Sequence, residues 1–198
     1  MPSLHELVEQ LSSAEFNTRA LALAELVRQG KAATAVLVEA FNTPVDRLRA
    51  QVVRALAEIA DPASADTFAQ ALDDDNKEVR ARGAQGLARI NDSRAITALV
   101  RTINDFPDVL HHPYTLSTYE LILLKRSALP AVAPLLKSAD PITRERAFLV
   151  VGTIISSLPE GKDWQQLWHS LGSYDPHGPS LERERAADQL ISWINQKT

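Results

Sequence analysis

Residues 61–105 read DPASADTFAQALDDDNKEVRARGAQGLARINDSRAITALVRTIND, and this stretch decides the fold. Asp61 and Asp92 are each placed to open a helix, one step of 31 residues apart. Between them lie two amphipathic segments. Phe68 and Leu72 mark the first, and Val79, Gly83, Leu87 and Ile90 form the apolar stripe of the second. The acidic turn Asp73-Asp74-Asp75 sets negative charge against the positive end of that second helix. A helix–turn–helix unit recurring with a period in the thirties is the signature of a helical solenoid, whose units bury their apolar faces on their neighbours.

The same register runs outward in both directions. Arg19, Arg49 and Arg80 each stand seven residues before a core leucine (Leu26, Leu56, Leu87), and Arg144 stands seven before Val151. The steps are 30, 31 and then 64, which is two steps of 32. A fourth, irregular unit therefore lies between Asp92 and Leu129. There NDFPDVLHH replaces the short turn, His112 takes the arginine's place, and Pro113 is placed to begin the second helix, TLSTYELILL. Helix ends follow local rules. Ser3/Glu6 and Ser12/Glu15 read as capping boxes, Gly30 as a C-terminal stop, and Thr43-Pro44, Asp61-Pro62 and Asp140-Pro141 as caps followed by an N1 proline.

After Leu158 the repeat character ends. Trp164, Leu167, Trp168 and Leu171 are spaced as a short amphipathic helix, SYDPHGP reads as a turn, and Ser180 opens a last helix carrying Ala187, Leu190, Ile191 and Ile194. All three tryptophans fall in this segment. The expected architecture is all-α: a right-handed α-solenoid of about five helix pairs over residues 1–157, closed by a helical C-terminal cap over 158–198, since open solenoid ends need apolar cover.

Composition narrows the function. With a net charge of −4 and a pI near 5.7, the chain lacks the basic footprint of a dedicated nucleic-acid binder. The absence of cysteine removes disulfides, thiolate nucleophiles and cysteine-ligated metals. No apolar run reaches the ~18 residues of a membrane span, and Met1-Pro2-Ser3 leads straight into a capped helix, so no signal peptide and a cytoplasmic location are expected.

The string EVRARGAQGLARINDSRAITALV closely resembles the short HEAT-like repeat of phycobilisome lyases. Val79-Arg80 opens the second helix, Gly86-Leu87-Ala88 packs its middle, and Asp92, Ala95 and Ile96 open the next unit; Ala55-Leu56-Ala57 and Asp61-Pro62 repeat this one unit earlier. The resemblance implies a HEAT-like helix-pair fold. It also implies a choice of roles among family members of similar length: chaperone-like or adaptor proteins, and subunits of heterodimeric bilin lyases acting on phycobiliproteins. In the lyase reading the partner would be a phycobiliprotein or a second HEAT-like subunit, and a bilin would be handled with Tyr114, His111 or His112 touching it.

The residues themselves lean away from an enzyme. There is no nucleophile elbow, no phosphate loop, and no His-x-x-x-His or Glu-x-x-His pattern, so neither a metal nor a cofactor is expected. The arginine ladder is open to two readings, internal ties to turn groups such as Asp46 and Asp75 or an anion-binding row, and its recurrence with the repeat favours the first. Repeat arithmetic places Arg54, Arg82, Gln85, Arg89, Tyr114 and Arg146 on the second-helix face, where a scaffold would hold a protein partner. The fourth-unit loop, with Phe106, His111 and His112, is expected at the rim of that groove.

Overall fold

The computed structural model describes residues 2–197; Met1 and Thr198 lie outside it. By contacts the chain divides into two compact units, Met1–Ala98 and Leu99–Thr198. Residues 158–198 thus fall inside the second unit. Among the described residues the secondary structure is helical, with one isolated bridge between Pro107 and Thr115.

The first unit holds α1 (Leu4–Gln10), α2 (Phe16–Gln29), α3 (Thr34–Ala40), α4 (Asp46–Ile59), α5 (Ala65–Ala71) and α6 (Lys77–Arg89). Each odd helix packs on the even helix that follows it, and α2, α4 and α6 lie side by side as one layer. Leu7, Leu11, Leu26, Leu37, Leu56, Phe68 and Leu87 fill the space between layers. The α5–α6 contact is close: a Cβ on Gly86 would stand 2.3 Å from the Phe68 ring and one on Gly83 would stand 2.8 Å from the Phe68 carbonyl. Glycine at these positions lets two backbones meet where any side chain would collide.

Helix α7 (Ala95–Arg101) spans the boundary, and the second unit continues with α8 (Leu116–Leu123), α9 (Leu129–Val132), α10 (Pro141–Ser157), α11 (Trp164–Ser170) and α12 (Ser180–Lys197). Five helix pairs follow one another, as the repeat arithmetic anticipates, and α11 and α12 then pack on the fifth. Tyr174 anchors this terminal segment: it is buried, and its hydroxyl donates to the Leu136 carbonyl at 2.6 Å.

Several helix starts differ from expectation. The Ser3/Glu6 box is present, and Asp61 and Asp140 cap their prolines. Ser12, however, donates to the Glu9 carbonyl, and α2 begins at Phe16 after an uncapped Glu15. Thr43-Pro44 lies in the turn and α4 starts at Asp46. Pro113 and Tyr114 precede α8, whose cap is Thr115 paired reciprocally with Thr118.

Candidate functional site

The ladder arginines perform one local task. Arg19 Nη1 donates to the carbonyls of Ser13 and Ala14 at 2.7 and 2.8 Å. Arg80 treats Asp74 and Asp75 alike at 2.8 and 3.0 Å, and Arg144 does the same to Ser138 and Ala139, both at 2.9 Å. In each case the acceptors lie five and six residues back, in the turn that ends the preceding helix, where carbonyls otherwise lack partners. Arg49 takes the Thr43 carbonyl at 2.9 Å and grips Asp74 of the next pair with two bonds of 2.6 and 3.0 Å. The inter-pair carboxylate is therefore Asp74; Asp75 offers Arg80 its carbonyl. The Arg49 and Asn76 donors hold the Asp74 carboxyl below the usual range although burial opposes them.

On the exposed side of the first unit, α2 and α4 frame a cavity of about 370 Å³. Ala20, Leu23, Ala24 and Val27 of α2 make its apolar floor, and Gln51, Arg54 and Glu58 of α4 make its polar wall. Phe16 stands at the same cavity, largely exposed and within 5.9 Å of the Arg19 guanidinium. The Nε of Arg54 is buried and donates to no acceptor. One helix on, Arg82 is only 13% exposed; burial pushes its guanidinium pKa down, and Arg54 and Arg89 push the same way while Glu78 opposes. Arg82 also reaches the buried Gln85 at 3.2 Å, and Arg89 reaches back to Glu58 at 3.3 Å. Arg54, Arg82, Gln85 and Arg89 thus share one face of the first unit. The apolar floor beside them belongs to α2, which carries none of the sequence-derived site candidates.

The remaining sequence-derived candidates lie in the second unit. Arg146 is 5% exposed, and its guanidinium ties down the fourth-unit loop through the Pro113 carbonyl at 3.0 Å and Asn104 Oδ1 at 2.6 Å. Its guanidinium is thus engaged in holding the loop. Tyr114 stacks on Tyr119 with ring centroids 4.8 Å apart. Asp105 is buried and Phe106 half-buried, so the loop is less open than its composition implies. Asp108 organises its tip, accepting from the Leu110 and His111 amides and lying 2.8 Å from His111 Nδ1. Val109 and Leu110 project from that tip at 89% and 83% exposure. His112 lies 3.9 Å from Glu145 on α10. Ser117 and Leu121, which repeat arithmetic puts on the second-helix face, are fully buried.

Successive short helix pairs, with arginines closing the turn of every pair but the fourth, define an α-helical repeat protein. The family model for HEAT repeats matches residues 4–77 and 35–111, together more than half of the sequence, and the chain belongs to that family. No curated protein matches the sequence. Among solved structures, the complex of CpcE and CpcF of phycocyanin lyase from Nostoc sp. PCC7120 is 19% identical, covers 94% of this chain and 96% of that one, and superposes with a TM-score of 0.44. An engineered protein at 19% identity covers 99% of this chain and 98% of that one, with a TM-score of 0.44. A designed armadillo repeat protein in complex with the peptide (KR)4 is 16% identical over 98% and 99% of the two chains, with a TM-score of 0.45. No described helix is long and apolar enough to cross a membrane.

Proposed function

We propose that the chain is a non-catalytic scaffold that holds a protein partner on the α2–α4–α6 face of its first unit. The observation that carries this reading is the α2–α4 cavity, with its apolar floor and an Arg54 Nε donor that is buried yet bonded to nothing. An apolar floor beside a wall that carries a guanidinium suits a partner that offers an apolar side chain together with an acceptor. Crowding of Arg54 and Arg89 around Arg82 sharpens the preference for a negatively charged partner, because an incoming carboxylate relieves repulsion among guanidinium groups. The chemistry required is then a bulky apolar side chain on the floor beside an acidic residue at the arginine wall.

The test is a peptide-display selection against the whole chain, followed by affinity measurements on the selected sequence. Neutralising Arg54→Gln together with Arg89→Gln avoids inverting the mostly buried Arg82. It should weaken binding at least tenfold, about 1.4 kcal/mol, and flatten its salt dependence. Unchanged affinity in a folded double variant would place the partner elsewhere. Coloured protein on co-expression with bilin-synthesis enzymes would instead favour a subunit of a heterodimeric phycobilin lyase/isomerase.

A further inference from the structure

The second unit carries a separate cavity of about 470 Å³ that the arginine face does not involve. Phe148, Leu149 and Gly152 of α10 form one wall, Trp164 of α11 another, and Pro113 and Pro176 enter from two loops. Gly152 lets the Trp164 ring lie close to α10, since a Cβ there would stand 3.3 Å from that ring and press on it. Phe148 and Trp164 stand 6.3 Å apart at a tilt of 44°, so the space between α10 and α11 has aromatic walls.

The polar group of interest in this apolar lining is the Glu145 carboxylate. It is 28% exposed and takes no hydrogen bond from any described residue. Its nearest cationic candidates are the Nε2 atoms of His112 and His177, both 3.9 Å from the same Oε2 and so beyond hydrogen-bond reach. A half-buried carboxylate without donors is costly, and its natural complement is a donor-bearing cation. Aromatic faces beside it add cation–π attraction for the same charge and apolar cover for its stem. An anion would meet Glu145 repulsively, and a purely apolar group would strip its remaining water without supplying a donor. A metal ion is the other occupant that two imidazoles and a carboxylate suggest, but no group of three such side chains among the described residues is arranged to hold one.

We infer that this cavity receives the cationic side chain, arginine or lysine, of a docked polypeptide, its stem lying against Phe148 and Trp164 and its charge on Glu145. The experiment titrates the full-length chain, observed by 15N–1H correlation spectra, with N-acetylarginine methylamide; the norleucine and glutamate analogues serve as comparators. The Trp164 indole N–H and the Gly152 amide should shift saturably with the arginine probe and far less with the other two. Glu145→Gln makes no internal hydrogen bond to lose, so it should fold normally and weaken the arginine probe at least fivefold. Norleucine binding as well as arginine, an unchanged affinity in Glu145→Gln, or no saturable shift at tens of millimolar probe would each overturn the inference. So would binding that appears only with added zinc and disappears with chelator.

Discussion

Tyr174 concentrates the cost and benefit of burial in one side chain. It is 1% exposed, and burial pushes its phenol pKa up to about 12. A folded-state value raised above the unfolded one contributes stability that is complete below about pH 10 and is lost as pH climbs toward 12. Urea titrations between pH 9 and 11.5, run as order-of-magnitude bracketing values around that window, should show the loss in wild type and a shallower one in Tyr174→Phe. At neutral pH the same substitution leaves the Leu136 carbonyl without its donor, at a cost of about 1–3 kcal/mol. Gly86 is the second decisive residue. Gly86→Ala drives a methyl into the Phe68 ring and should cost about 1–3 kcal/mol, as overpacking does. Phe68→Leu in the same chain should recover part of that loss; an additive double variant would mean that the two do not compete for one space.

At the scale of the element, the arginines act as ties for the turns. Arg144 is buried and serves three carbonyls, of Ser138, Ala139 and Pro176. Arg19 serves two, in a more exposed setting. Arg144→Met should therefore lower the unfolding free energy by about 2–4 kcal/mol, and Arg19→Met by about 1 kcal/mol or less. Equal losses in equilibrium unfolding would show that burial of the acceptors does not set the scale. This role was legible in the sequence because it repeats, and repetition is what sequence reports best. The helix starts were less legible. Thr43-Pro44 has a cap's composition, yet Arg49 claims the Thr43 carbonyl and the Thr43 hydroxyl accepts from the Val45 amide, so the turn is completed before α4 begins. The fourth unit was hardest. Its loop is shaped by Asp108 contacts and by Arg146 reaching from α10, thirty-three residues beyond Pro113. No local pattern announces those partners, and none shows that Tyr114 precedes α8 or that Arg146 is engaged with the loop. The meeting of Glu145 with Trp164 in one cavity has no local signal either, because only the packing of α11 on α10 brings them together.

Taken whole, a chain of net charge −4 keeps two chemically opposite surfaces in two units. Arg54, Arg82 and Arg89 gather on the first, and Glu145 lines an aromatic cavity in the second. The tryptophans are segregated as well: Trp164, Trp168 and Trp193 all belong to the second unit and none to the first. Nature has thus left the chain with a built-in optical label on one half only. Indole emission reports the state of residues 99–198, whereas far-ultraviolet circular dichroism sums the helices of both units. Followed together through a thermal ramp, Gly86→Ala should pull the dichroism curve to lower temperature while the emission midpoint stays with wild type. If both curves move in step, the two units melt as a single thermodynamic body, and a ligand on either face would then stabilise the other.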